Sequence, residues 1–352
     1  MTALSLSLSL RSSLALVVSA AGALLCVSLG TVLPWMIGPM VAMALATMAG
    51  LPVVRPAMAL TVGQVVIGTA LGLFFTQAVL AQIGGIVVYL IAAALFAFVL
   101  GAVCAVVLKR LSGCDIRTAF FASLPGGAAE MSILAAKLGG RTDWVAAAHA
   151  LRIVLVVLTV PPLLTHSGVH GHELWAASMA EVRYTGLFAM LLLAACAGTL
   201  LYWLKVPNCW VIGPLLVTVV LTSVGLDSSA MPRWASNAAQ LLIGCALGSR
   251  FDAAFLRTGP RFMLSVAFTV FLGIALAAAF GYALAQVSGI NVPTAILATA
   301  PGGVTEMSIT AKALQFGVPV VTAFHVTRMA FLVLAAGPLF SFHARFFLRI
   351  GR

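Results

Sequence analysis

The chain has 352 residues, of which 62% are hydrophobic and only 8% are charged, and its mean hydropathy is +1.16. A soluble domain carries roughly 25% charged residues, so the composition excludes a soluble globular protein and predicts an integral membrane protein. The formal net charge is +11, but the basic residues stand singly or in small groups between apolar runs, as loop anchors of membrane proteins do. Without a basic patch that includes aromatic residues, nucleic acid is excluded as a partner.

Apolar segments follow one another along the whole chain, six in each half. Several are shorter than the ~20 residues that a bilayer core requires, so some spans must extend into flanking polar residues. In chain order the segments are Leu14–Leu29, Met36–Ala49, Met58–Phe75, Ile83–Leu108, Thr118–Leu138, Trp144–Leu164, Leu187–Leu204, Val211–Val224, Ala235–Gly248, Phe262–Val287, Thr294–Leu314 and Val318–Phe340.

The fifth segment of each half contains a Pro-Gly-Gly motif followed by a glutamate. The stretch from Pro125 to Ile133 returns from Pro301 to Ile309 with seven of nine positions identical, and the offset between the two copies is half the length of the chain. Four other blocks recur in the same order at this offset or at one position less. They begin at Trp35 and Trp210, Gln64 and Gln240, Ser112 and Ser288, and His149 and His325. We interpret this as a tandem duplication, with an N-terminal repeat at 1–165, a periplasmic linker at 166–182 and a C-terminal repeat at 183–352.

The charges of the loops predict that the two repeats have opposite orientations. In the first repeat the loop before Ile83 is uncharged and the next loop is basic, whereas in the second repeat the order is reversed. Cytoplasmic loops carry the excess of lysine and arginine, so equivalent loops with opposite bias lie on opposite faces of the membrane. Inversion requires an odd number of crossings per repeat. We therefore expect an all-α polytopic protein with about five transmembrane helices per repeat, both termini cytoplasmic, and a re-entrant Pro-Gly-Gly hairpin in each repeat. A broken helix that crosses the membrane is the alternative.

The Pro-Gly-Gly motifs are the predicted binding site. Proline and glycine interrupt the helix, and the half-helix that follows begins inside the membrane with free N–H groups and a positive dipole end. Transporters use such ends to hold anionic groups or coupling ions, although a single break can also be a packing kink. The predicted substrate- and ion-binding residues are Pro125, Gly126, Gly127, Glu130, Ser132, Pro301, Gly302, Gly303, Glu306 and Ser308.

Three pairs of polar side chains accompany these breaks, and each allows two interpretations. Glu130 and Glu306 either bind a proton or cation, or complement the helix dipole or a buried arginine. The pairs His149/Arg152 and His325/Arg328 share an H-x-x-R spacing that places both side chains on one helix face. They either receive an anion or relay protons, or they balance the charge of the two glutamates. The two serines either contact a ligand or bond back to their own helix.

Other patterns do not indicate a catalytic or metal site. His166, His170 and His172 fit a solvated loop better than a metal site because no fourth ligand follows at a fixed spacing. The six cysteines form no C-x-x-C pair and are interpreted as packing residues. We expect no cofactor, no metal and no catalytic residue, and hence no enzyme.

Two copies of Pro-Gly-Gly-x-x-Glu-Met-Ser, each preceded by a Trp-x-Ile-Gly-Pro block, resemble the AbrB family of bacterial membrane proteins. The resemblance covers about Leu14 to Phe340. Members carry the labels ammonia monooxygenase or regulator AbrB. The fold is also similar to the cation/proton antiporter and anion transporter group, whose inverted halves each carry a Gly-rich hairpin. That similarity implies hairpins in a moving transport domain, a scaffold of the other helices and a homodimer.

Together these observations predict an ion-coupled secondary transporter in the bacterial inner membrane. Its partners would be the lipid membrane, a small anionic or polar solute, and a proton or sodium ion, with the site between the two Pro-Gly-Gly tips. The alternatives are a membrane-bound regulator or receptor and an enzyme of the ammonia monooxygenase type.

Overall fold

The computed structural model describes residues 7–166, 181–226, 229–251, 255 and 259–350, with only the backbone at 339 and 341–350. Throughout this part of the chain the regular structure is helical and contains no strand. The helices whose bounds lie within the described residues are α1 Leu8–Ser28, α2 Pro34–Met48, α3 Ala59–Gly72, α4 Gln77–Gly85, α5 Val87–Ser112, α6 Ile116–Ser123, α7 Ala128–Lys137, α8 Thr142–His166, α9 Tyr184–Trp203, α10 Cys209–Ser223, α11 Arg233–Gly248, α12 Pro260–Ser288, α13 Val292–Thr299, α14 Val304–Ala313 and α15 Val318–Ile350.

Six of the described helices are long and apolar enough to cross a membrane, namely α1, α5, α8, α9, α12 and the part of α15 up to Pro338. Helices α3 and α4 meet at a bend of 86° and together pass the same test. The prediction of an all-α polytopic membrane protein is confirmed. Four more helices, α2, α3, α10 and α11, have 14 to 16 residues and are about 21–24 Å long, less than the ~30 Å of the hydrocarbon core. The expected ten crossings therefore stay a prediction.

The helices form two compact units, and each unit takes helices from both halves of the sequence. The first unit comprises Met1–Leu80, Pro161–Arg257 and Lys312–Gln315, and the second comprises Ala81–Val160, Thr258–Ala311 and Phe316–Arg352. The borders of the units thus differ from those of the two sequence repeats, because the repeats interlock. The division into repeats at 1–165 and 183–352 stays a prediction.

Glycines let the helices of the first unit approach closely, and equivalent glycines make equivalent contacts. A Cβ atom on Gly68 in α3 would lie 2.6 Å from the carbonyl oxygen of Val211 in α10. A Cβ atom on Gly244 in α11 would lie 2.5 Å from the carbonyl oxygen of Met36 in α2. Both glycines and both partners occupy equivalent positions of the two repeats. Backbone contact of this kind is typical of membrane helices, whose interfaces are rich in small residues.

In the second unit α5 and α12 pack against each other, and shorter helices pack on both of them. Helix α6 packs on α5 and α13 packs on α12, while α15 contacts both α5 and α13. Buried aromatic rings fill this packing, among them Phe120 and Phe121 of α6, which contact Phe340 at centroid distances of 5.2 and 5.3 Å. This framework places the two Pro-Gly-Gly motifs within one unit.

Each Pro-Gly-Gly motif lies between two short helices. Helix α6 ends at Ser123 and α7 begins at Ala128, while α13 ends at Thr299 and α14 begins at Val304. The backbone between α6 and α7 is extended, with ψ of 131° at Leu124 and 136° at Gly127. The apolar segments Thr118–Leu138 and Thr294–Leu314 are thus each divided at the motif.

Candidate functional site

The helix break in the first repeat is held by an arginine and a histidine of α8. Arg152 donates from Nη1 to the carbonyl oxygen of Leu124 at 2.7 Å and from Nη2 to that of Gly126 at 3.3 Å. His149 Nε2 lies 2.9 Å from the carbonyl oxygen of Phe121. The last carbonyls of a helix have no partner within the helix and form its negative end. The guanidinium group therefore closes the end of α6 and fixes the path of the motif.

The break in the second repeat is held in the same way by α15. Arg328 donates from Nη1 to the carbonyl oxygen of Ala300 at 2.6 Å and from Nη2 to that of Gly302. His325 Nε2 lies 3.1 Å from the carbonyl oxygen of Leu297. Each of these partners occupies the position equivalent to its counterpart in the first break. The described hydrogen bonds of both arginines thus run mainly to backbone carbonyls, whereas the sequence suggested charge balance with the two glutamates.

The two histidines differ in the hydrogen bonding of their Nδ1 atoms. His149 Nδ1 lies 2.7 Å from Nη2 of Arg152, so it accepts a hydrogen bond, and Nε2 carries the proton that is donated to Phe121. Nδ1 of His325 is buried without a hydrogen-bond partner among the described residues. The H-x-x-R spacing correctly predicted a shared helix face, but this difference depends on distances that spacing does not set.

Glu130 and Glu306 occupy the first turns of α7 and α14. Each carboxylate folds back over the last glycine of its motif, since a Cβ atom on Gly127 or Gly303 would collide with glutamate Oε2. This is the position from which a first-turn glutamate faces the free N–H groups of its helix. Glu306 is buried at 7% exposure, while Glu130 is half-buried.

The two serines of the motifs have different partners. Ser132 donates to the carbonyl oxygen of Ala128 at 2.7 Å within its own helix, which is the second of the two interpretations that the sequence allowed. Ser308 is buried and accepts a hydrogen bond from Thr322 of α15 at 2.9 Å.

A small cavity of about 30 Å³ in the second unit brings the two motifs together. Pro125 and Pro301 both line it, together with Arg152, Ser123 and Cys104. Ser123 and Cys104 were not among the predicted site residues. A signal for Ser123 was present, because a hydroxyl residue stands two positions before the motif proline in both repeats, as Ser123 and as Thr299.

Buried donors without partners surround this part of the second unit. Nε of Arg152, Nε of Arg328 and Oγ of Ser123 are all buried and have no hydrogen-bond partner among the described residues. Arg152 and Arg328 are also close enough for their charges to interact. Because an arginine stays protonated in proteins, this region contains two positive charges with unused hydrogen-bond donors, which suits an anion.

His166 is not among the described residues that line this cavity. His166 Nδ1 lies 2.8 Å from the carbonyl oxygen of Pro162, and His170 and His172 fall outside the described residues. Among the residues that the structure describes, no group of three or more His, Cys, Asp or Glu side chains is placed to hold a metal ion. A salt bridge among the described residues, from Arg141 to Asp143 at 2.9 Å, is exposed.

The fold and site define a multi-pass helical membrane protein with two motif-bearing helix breaks in one unit. The family described as "Transition state regulatory protein AbrB" matches residues 35–344, so the chain belongs to the AbrB family. It is 28% identical over 309 residues to a protein of Escherichia coli (strain K12) named "Putative regulator AbrB", covering 86% of this chain and 87% of that protein. It is 27% identical over 360 residues to "Uncharacterized protein YhjN" of Bacillus subtilis (strain 168), covering 92% and 90%. The resemblance noted in the sequence is confirmed.

Proposed function

We propose that the protein is an ion-coupled secondary transporter of a small anionic or polar solute, with its site between the two Pro-Gly-Gly tips. One observation carries this proposal: Pro125 and Pro301, which belong to motifs half a chain length apart, line one cavity. Non-helical backbone in a membrane protein is tolerated where it is buried in protein or lines a cavity. Broken helices that meet at such a cavity are the usual construction of transporter sites.

The two glutamates are the proposed coupling residues. Each lies in the first turn of the helix that follows its Pro-Gly-Gly motif, so its protonation or sodium binding changes the charge at that helix end. Glu306 is buried at 7% exposure, and a buried carboxyl group in a membrane protein is a candidate proton or cation site. A proton or a sodium ion is the proposed coupling ion. The competing role is structural, in which the carboxylates only cap α7 and α14.

The cellular location and the oligomeric state are also part of the proposal. We place the chain in the bacterial inner membrane, with both termini in the cytoplasm, from the distribution of arginine and lysine in the loops. A homodimer is proposed from the similarity to the antiporter and anion transporter group. The proposal includes no enzymatic step, and copper or iron tightly bound to the purified protein would instead favour the oxygenase alternative.

The transport proposal is tested with purified protein in proteoliposomes. Thermal stabilisation across a panel of anionic and polar metabolites first selects a solute, and that solute is then supplied under an inward proton or sodium gradient. We expect gradient-driven accumulation by the native protein and its loss in a Glu130→Gln, Glu306→Gln double mutant. The control is Asp143→Asn, which removes an exposed carboxylate paired with Arg141. Undiminished accumulation in the double mutant would refute the coupling role.

A membrane receptor or regulator is the second candidate function. The name of the Escherichia coli relative and the description of the family both contain a regulatory term, which favours this candidate. A receptor binds its ligand saturably but does not accumulate it in proteoliposomes under either gradient. The same experiment therefore separates the two candidates.

A further inference from the structure

The cavity between Pro125 and Pro301 contains a positive charge without a negative partner. Arg152 lines it at 8% exposure, and its Nε has no hydrogen-bond partner among the described residues. No aspartate or glutamate is among the described residues that line the cavity. A buried charge costs several kcal/mol unless it is paired, so this site favours a negatively charged occupant.

The carboxylates described in the second unit are engaged elsewhere. Asp115 caps α6 through Thr118, and Asp143 pairs with Arg141. The carboxylates of the two motif glutamates lie over the glycines that precede α7 and α14. The counter-charge for Arg152 is therefore not supplied by an acidic side chain at the cavity, and an anion from solution can take that place.

The size of the cavity limits this anion. A volume of about 30 Å³ compares with the roughly 10–15 Å³ that a single water molecule needs by the same kind of measure. The cavity thus accommodates two water molecules or one anion of a few atoms. Citrate, amino acids and nucleotides are too large for it in this conformation.

We propose that this cavity binds one small monovalent anion, such as chloride, nitrate or formate, between the guanidinium group of Arg152 and the hydroxyl group of Ser123. Both groups line the cavity and both have a buried hydrogen-bond donor without a protein partner among the described residues. This inference names the solute class of the proposed transporter and rests on that proposal for transport, but the binding itself is independent of transport.

Equilibrium binding of small anions to the purified protein in detergent tests the inference. The thermal unfolding midpoint is recorded while sodium gluconate, whose anion is too large for the cavity, is replaced at constant ionic strength by sodium chloride, nitrate or formate. We expect a saturable rise of the midpoint. Ser123→Ala should weaken the apparent affinity about tenfold, since one hydrogen bond to a charged group is lost. Ser123→Asp places a carboxylate beside Arg152 and should abolish the response.

Ser265→Ala is the matched control. Ser265 is a buried serine of the same unit whose hydroxyl donates to the carbonyl oxygen of Arg261 in its own helix at 2.7 Å. It should keep the native response, and a general effect of the salts would appear equally in every variant. An identical midpoint in all four salts, or an identical response in Ser123→Ala, Ser123→Asp and Ser265→Ala, would overturn the inference. Anion binding without accumulation refutes the transporter alone, and accumulation of a solute without anion binding refutes the anion site alone.

Discussion

The hydrogen bonds between Arg328 and the second helix break predict how much stability the protein loses when this arginine is replaced. Its guanidinium group donates to two buried carbonyl oxygens, those of Ala300 and Gly302. A lysine keeps the positive charge but has one compact ammonium group, which does not reproduce the planar two-point contact. Arg328→Lys therefore loses at least one hydrogen bond to a charged group, worth about 1.5–3 kcal/mol. For a unit of this size, that corresponds to a fall of roughly 3–12 °C in the unfolding midpoint.

The measurement is the thermal unfolding midpoint of the purified protein in detergent. Unfolding is monitored by the fluorescence of a thiol dye that reacts with buried cysteines as they become exposed. Arg110→Lys is the matched control because Arg110 is an exposed residue at the end of α5, and it should leave the midpoint within about 1–2 °C, in line with ~0.5 kcal/mol for surface changes. If Arg328→Lys unfolds at the same temperature as Arg110→Lys, the arginine does not hold the break, and the structural role assigned to the H-x-x-R pairs is wrong.

Two further predictions concern the motif glycines and the orientation of the repeats. Gly303→Ala should lower the free energy of unfolding by about 1–3 kcal/mol because the new methyl group collides with a buried carboxylate. Gly127→Ala should lower it less because its glutamate is half-buried, and Gly84→Ala, whose methyl group meets open space, should be neutral or stabilising. Unfolding midpoints that do not follow this order would contradict the packing. In a cysteine-free background, Ser288→Cys should react with an impermeant thiol reagent in intact cells and Ser112→Cys only after lysis, and equal reactivity would show that the repeats are parallel.

The long helices were largely predictable because they coincide with long apolar runs, whereas the short helix α4 Gln77–Gly85 lies mostly between two predicted segments. The predicted segments Ile83–Leu108 and Phe262–Val287 agree with the helices α5 Val87–Ser112 and α12 Pro260–Ser288 to within four positions at each end. The breaks were also predictable, since Pro-Gly-Gly cannot continue a helix. These features are local, and a membrane environment makes them reliable because every backbone polar group in the lipid must be satisfied within the segment.

The partners of the buried arginines were not predictable from the sequence. The sequence left anion binding, proton relay and charge balance with the two glutamates open for these arginines, and it did not indicate that Arg152 and Arg328 donate to carbonyl oxygens. A carbonyl acceptor is present at every residue, so composition and spacing do not reveal which one is free. Only the path of the backbone after α6 and α13 shows that these particular carbonyls lack a helical partner. The two compact units mix both repeats because they follow packing and not chain order, so the repeat boundaries in the sequence do not give their borders.

The two copies of the duplication differ at two positions beside the described cavity. The first copy has Ser123, whose hydroxyl has no described partner, while the equivalent Thr299 donates to the carbonyl oxygen of Ala277 at 3.0 Å. The first copy has Cys104 at the cavity, while the equivalent Phe280 stacks on Phe96 at 3.9 Å. In the second copy the same region is thus closed by a hydrogen bond and a ring. The duplication accounts for the paired breaks and their arginines, and these two differences account for why a hydroxyl group and a thiol of the first copy line the cavity.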